Sequence, residues 1–109
     1  MAAAEKRREL AMDALGNPMR RRIVKLLRAG PLPVGSIAAE LPVSRPAVSK
    51  HLRLLERAEL VTFDKHGNRN LFRLNPSGFD AARGWLEEFW DEALARFARA
   101  VEDELEGKR

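Results

Sequence analysis

The chain has 109 residues, no cysteine and a formal net charge of +4. This length supports one domain with a small core and argues against a large enclosed substrate cavity within a single subunit. The missing cysteines remove disulfides, thiolate metal sites and cysteine nucleophiles together, and they fit a reducing, cytoplasmic setting. The opening MAAAEKRREL has charge but no following apolar run, so it does not read as a secretory signal,. No apolar stretch approaches membrane-spanning length, so no membrane partner is expected.

Charge is unevenly spread. Residues 1 to 74 carry 15 Lys/Arg against 7 Asp/Glu, whereas residues 75 to 109 carry 5 against 9. A basic body followed by an acidic tail segment points to a polyanionic partner for the body.

Residues 2 to 15 read as an Ala-rich, charged helix with Leu10, Ala14 and Met12 or Leu15 on its apolar side. Gly16 ends it, and Asn17-Pro18 starts the next helix with a capping side chain followed by proline at the first position. Met19, Ile23, Leu26 and Leu27 form that helix's inner stripe, and Gly30 closes it. In the basic run Arg20-Arg21-Arg22, Arg21 is expected to face solvent and one neighbour to pair with an acid such as Glu40 or Glu56. Pro31 to Pro33 reads as a connector. A short helix follows from Val34 to Glu40, with Ile37 turned inward, and Leu41-Pro42-Val43 makes a tight turn.

The helix beginning at Ser44 has two unlike faces. Val48, Leu52 and Leu55 recur at i, i+4 and i+7 and should meet a core. Arg45, Ser49 and Arg53 share another stripe, with Pro46 and Lys50 beside it, and no acid interrupts that stripe before Glu56. Ser44 suits the N-cap, and Pro46 falls in the first turn, where a missing N–H costs little. Two helices joined by a short turn, the second exposing hydroxyls and cations, form a helix-turn-helix whose second helix can enter a DNA major groove.

Beyond Ala58 the period changes to two. Residues 60–64 and 70–74 read as strands, with Val61, Phe63, Phe72 and Leu74 as packed positions, around the glycine-containing turn Lys65-His66-Gly67-Asn68-Arg69. The result is a β-hairpin wing with a cationic tip. Asn75-Pro76 repeats the helix-start signal. A long helix then runs to about residue 105, with Ala82, Leu86, Phe89, Ala93, Phe97 and Val101 on one stripe, widened by Trp85 and Trp90. Such a stripe exceeds what one small domain can cover. A homodimer is therefore expected, closed by residues 76 to 105 with the first helix (2 to 15) beside them. Its seam would contain Leu10, Trp85, Leu86, Phe89, Trp90, Ala93, Phe97 and Val101. The whole chain, 1 to 109, reads as a single domain, mainly α with a small β-hairpin: a winged helix-turn-helix.

The segments ALGNPMRRRIVKLL, SRPAVSKHLRLLERAELV and FDKHGNRNLFRL resemble the ArsR (SmtB/ArsR) family of winged-helix repressors, over roughly residues 10 to 101. The resemblance implies a homodimer that places two recognition helices on a roughly palindromic double-stranded operator and represses by occluding a promoter. On the matching positions it implies that Ser44, Arg45, Pro46, Ala47, Ser49 and Lys50 face DNA, and that the wing tip, Lys65, His66, Asn68 and Arg69, reaches the backbone or minor groove. Arg53 joins them through its place on the polar stripe.

The departures are informative. Many family members sense metal through a Cys-x-Cys segment, where this chain has Leu32 and Val34. Another family site uses Asp, His and Glu on the last helix, and WLEEFWDEALARFARAVEDE holds no histidine. Carboxylates alone are poor ligands for the softer metals, so no metal site and no cofactor are expected. Glu59 stands where the family commonly has glycine; a positive φ there would cost about 1 kcal/mol.

His51 belongs at the edge of the core, and His66 on the wing is a turn residue near DNA. Trp85, Phe89, Trp90 and Phe97 suit a dimer core better than a ligand pocket, although a small hydrophobic effector at that seam is an alternative. A winged-helix protein-interaction module without DNA binding is a second alternative. No paired histidines, phosphate-binding glycine loop or nucleophile triad supports an enzyme. The inducing signal and the operator are not legible.

Overall fold

The computed structural model describes residues 2–107; Met1, Lys108 and Arg109, which the single-domain reading also takes in, lie outside the described residues. The order of elements is α1 (Ala2–Leu15), α2 (Pro18–Leu27), β1 (Leu32–Pro33), α3 (Val34–Ala39), α4 (Arg45–Arg57), β2 (Val61–His66), β3 (Arg69–Leu74) and α5 (Pro76–Gly107). Local chemistry sets the helix starts. Asn17 Oδ1 accepts the backbone N–H groups of Met19 and Arg20 at 2.9 and 3.1 Å, and Asn75 Oδ1 accepts that of Ser77 at 3.1 Å. In both cases the proline that follows has no N–H to leave unsatisfied.

The core forms where three helices meet the base of the hairpin. Ile23 and Leu27 of α2, Ile37 of α3, Val48, Leu52 and Leu55 of α4, and Leu60 and Val61 at the start of β2 are all buried. A second, thinner seam joins α1 to α5 through Ala11, Ala14 and Ala82. Ala14, expected on the apolar side of α1, is buried, and Ala11, which that expectation left out, is fully buried. Small side chains let that helix lie close, while Leu10, Met12 and Leu15 are only partly covered.

The connector reading of residues 31 to 33 is corrected. Leu32 and Pro33 form a short strand antiparallel to β3, opposite Phe72 and Leu71, so the wing is a three-stranded sheet of order β1-β3-β2. Proline donates no ladder hydrogen bond and therefore sits on an edge strand, which hid the pairing from a pattern search. Phe63 departs from its expected packed position, with 38% of its surface exposed. Strand periodicity does place it on the same face as Val61, but the hairpin runs out past the core, and only the first of those side chains is covered.

Glu59 is the corner on which α4 turns into the wing. Its φ is 59°, a left-handed value of the kind for which the resembled family commonly has glycine. The Leu60 N–H donates to Leu55 O and the Glu59 N–H to Glu56 O, each at 2.9 Å. This pair of bonds closes a Schellman cap, and buried Leu60 sits beside buried Leu55 as that motif favours,. Two other elements hold the corner. Arg7 Nε of α1 lies 2.8 Å from Glu59 Oε2, and the Gly78 N–H of α5 donates to Glu59 O at 2.8 Å.

A methyl group on Gly78 would stand 2.5 Å from the Glu59 carbonyl oxygen, so α5 can dock here only with glycine in its first turn. Gly78→Ala should lower unfolding stability by about 1–3 kcal/mol, the usual cost of overpacking against backbone, measured by urea denaturation. An unchanged midpoint would mean that α5 is free to shift away.

Candidate nucleic-acid interface

The polar face of α4 is exposed because the other face is fully used. Val48, Leu52 and Leu55 are at most 1% exposed, and the helical period then turns Arg45, Lys50 and Arg53 outward. Ser44, Arg45, Pro46, Lys50 and Arg53 are exposed, and Ala47 and Ser49 are half-buried. Ser44 caps the helix: its Oγ accepts the Ala47 N–H at 3.3 Å. Arg45 rests against α3, with Nη1 at 3.9 Å from the position a methyl group on Gly35 would take. The sequence reading did not single out Gly35. Its signal would have been a side-chain-free residue in the helix that precedes the cationic stripe.

Lys65, His66, Asn68 and Arg69 are exposed at the hairpin tip. Gly67 takes φ 64° at the first of two residues between paired His66 and Arg69, the backbone a II′ hairpin turn requires. On the hairpin's other face, Arg73 Nε is tied to Asp64 Oδ2 at 2.9 Å, so this cation is partly neutralised.

A groove of about 630 Å³ separates α4 from the wing. Arg45, Ser49, Arg53 and Glu56 line one side, Asn68, Arg69 and Asn70 the other, and Phe63 and Phe72 the floor, with Leu52 of α4 and residues 33–36 of β1 and α3 also in the lining. The two rings are cross-strand partners with centroids 5.4 Å apart, tilted by 47°. The structure thus brings the predicted recognition-helix residues and the predicted wing residues around one concave surface. It adds Phe63 to that surface, which the sequence reading had assigned to the core.

The expectation that Arg20 or Arg22 pairs with Glu40 or Glu56 is not met: neither acid forms an ion pair among the described residues. Arg20 instead donates to Ala14 O at 2.8 Å and Asp13 O at 3.3 Å, and Arg21 to Leu15 O at 2.8 Å. These carbonyls end α1, where Asp13 O also accepts the Gly16 N–H at 3.1 Å, and their partial negative charge attracts cations,.

The expected seam residues lie along α5. Leu86, Phe89, Trp90, Phe97 and Val101 are exposed, whereas Trp85 and Ala93 are half-buried and Leu10 is half-buried against the chain's own core. Trp85 stacks on Phe89 with centroids 5.5 Å apart and planes within 6°. No helix among the described residues is long and apolar enough to cross a membrane.

The helix-turn-helix domain family matches residues 15–62, from the end of α1 to the start of the wing. The HTH-type transcriptional regulator Rv2034 of Mycobacterium tuberculosis is 46% identical over 86% of this chain and 88% of its own length. The transcriptional repressor SdpR of Bacillus subtilis is 32% identical over 70% of this chain and 84% of its own. Among solved structures, a possible transcriptional regulator for arsenical resistance superposes with a TM-score of 0.71 at 40% identity, covering 81% of this chain and 92% of that one. The chain belongs to the ArsR family of winged-helix transcriptional regulators. A further ArsR-like structure, the homodimeric winged helix-turn-helix DNA-binding domain Mb0332 of Mycobacterium bovis, has a TM-score of 0.66 at 29% identity over 87% of this chain and 88% of that one. For this ArsR-family chain, α4 is the second helix of the helix-turn-helix and β2–β3 its wing.

His51 lies behind this face. Its Nδ1 is buried without a hydrogen-bond partner. Burial, then the charges of Arg20 and Lys50, hold its pKa below the ordinary 6.5. The unfolded chain therefore takes up this proton first as the pH falls. Stability should be level above that ordinary value and decline below it. The urea midpoint, followed down to about pH 5.5, should drop in the wild type and drop less in His51→Leu; identical slopes would show that His51 protonates freely in the folded chain.

Proposed function

We propose that this chain is a homodimeric, metal-independent transcriptional repressor that binds a roughly palindromic double-stranded operator. The observation that carries the reading is the uninterrupted Ser/Arg/Lys face of α4 lying beside a cationic wing. Arg45, Ser49 and Lys50 enter the major groove; Lys65, His66, Asn68 and Arg69 meet the backbone or minor groove; Arg53 neutralises phosphate. Arg45 is the residue for guanine, because its fork can donate to O6 and N7 together. Affinity comes largely from cations replacing counterions on phosphates, so it falls steeply with salt.

Dimerisation is supported by α5. Leu86, Phe89, Trp90, Leu94, Phe97, Val101 and Leu105 are all exposed on it, and a soluble monomer rarely leaves that much contiguous apolar surface uncovered. Two copies related by a two-fold axis present two α4 helices, and half-sites about 34 Å apart, one turn of DNA, follow. Repression without metal is supported by the donor set. The chain has no cysteine, so it has no thiolate for the arsenic chemistry named for one of its structural relatives. Its last helix offers carboxylates without a histidine, a poor donor set for the softer metals,. No cofactor and no catalytic role are assigned, and the protein acts in the cytoplasm. An effector is unassigned; the stacked Trp85 and Phe89 serve the seam.

Arg45→Ala should weaken operator binding by about 1–3 kcal/mol and relax preference at one base pair in each half-site, read by fluorescence anisotropy on single-substitution duplexes. A loss equal on all sequences would make Arg45 a phosphate contact. Phe97→Glu, which places a charge on the seam without touching the winged body, should yield a folded monomer in sedimentation equilibrium with DNA affinity reduced at least about tenfold. A variant that remains dimeric would move the interface off α5.

A further inference from the structure

The groove between α4 and the wing has a rim and a floor of different chemistry. Arg45, Arg53 and Arg69 stand on the rim, and Glu56, beside Arg53, is its one carboxylate. The floor is aromatic: Phe63, 38% exposed, lies against half-buried Phe72. Phe63 pairs with Phe72 across the hairpin, yet 38% of its surface stays open to the groove, whereas Val61 is buried. Burying that ring on binding would be favourable.

We infer that this groove seats one sugar–phosphate strand of the operator and that Phe63 packs against a deoxyribose there. This rests on the DNA-binding reading above and extends it to a contact made by neither the recognition stripe nor the wing tip. A protein with α4 in the major groove and a hairpin in the adjacent minor groove straddles the strand that separates them, and the space between its two elements receives that strand. A DNA strand presents charged phosphate oxygens along one edge and the C–H face of deoxyribose along another. Arg53 and Arg69 match the first, Arg45 being directed to the base, and the Phe63 ring matches the second. Glu56 limits how far along the groove phosphates can run. A small inorganic anion would satisfy the rim and leave the floor empty, and a base edge would find no hydrogen-bonding group on the Phe63 ring.

Phe63 therefore adds affinity without adding sequence preference and without displacing counterions. The test uses a duplex that the wild-type protein has itself selected from a random-sequence pool; failure to select any duplex would defeat the DNA-binding reading, not this contact. Phe63→Ala should weaken binding to the selected and a scrambled duplex alike, by about tenfold, the worth of partly burying one ring. The slope of log affinity against log salt should stay at the wild-type value, whereas Arg69→Ala should reduce it by about one. Because Phe63 also touches Phe72, Phe63→Leu serves as the folding control and should remain within about threefold of wild type. Within the region that hydroxyl-radical cleavage shows protected in each half-site, one deoxyribose should be protected in wild type and in Phe63→Leu but exposed in Phe63→Ala. Replacing each thymine by deoxyuridine should cost wild type no more than it costs Phe63→Ala. A thymine whose methyl adds affinity for wild type but not for Phe63→Ala would overturn the sugar contact in favour of a base methyl. A reduced salt slope in Phe63→Ala would also overturn it, because the ring would then be holding the wing's cations in place.

Discussion

Three side chains, Val48, Leu52 and Leu55, orient everything that faces outward from this protein. Each is essentially withdrawn from solvent, and burial of such a residue is worth roughly 1.5–3 kcal/mol. Rotating α4 to expose them would cost more than any single surface contact returns. The direction of Arg45, Lys50 and Arg53 is thus decided by what lies behind them. The polar stripe needs no contacts of its own to point away from the body; it is the remainder of a helix whose other side is committed. This division of labour lets the outward residues vary for sequence recognition while the fold stays put.

The second constraint is the corner at Glu59. A residue with a side chain in the left-handed region is strained, and a glycine there would relieve it. Glutamate accepts that strain and gains an ion pair to Arg7 that glycine could not make. The pair is exposed, so its energetic worth is small, but its position is informative. The corner joins α4 to the wing, its side chain is held by α1, and its carbonyl is held by the first turn of α5. The proposed recognition helix and the wing are joined at a point which both terminal helices touch. A change in how those helices pack would reach the angle between recognition helix and wing through this one residue.

Much of the architecture was legible from pattern. The two Asn-Pro helix starts, the Ser44 cap and the buried stripe of α4 are local features, and local chemistry decides them; the left-handed Glu59 was raised only by the family resemblance. Two kinds of feature escaped. One depended on partners far apart in sequence: β1 is only two residues long and contains proline, so nothing in Leu32-Pro33 announces pairing with Phe72 and Leu71. Arg20 was likewise misread, because helix-end carbonyls compete for a guanidinium and leave no mark in the composition. The other kind concerned extent. Alternation places Phe63 on the inner face of its strand but cannot say where the core beneath it ends. For that reason the candidate interface was legible as a helix stripe and a wing tip, while the aromatic floor between them was not.

The long α5 has one more implication. Of its 32 residues only Gly78 and Ala82 are buried within the chain, so the distal part of the helix adds nothing to the monomer's own core. In the proposed homodimer, folding of the body and pairing of two copies are then separable, one unimolecular and the other second-order in protein. Below that dimer's dissociation constant its concentration would vary as the square of the total chain concentration. A cell tuning this protein's abundance would therefore change operator occupancy more steeply than in proportion, a nonlinearity built from helix length alone and requiring no effector.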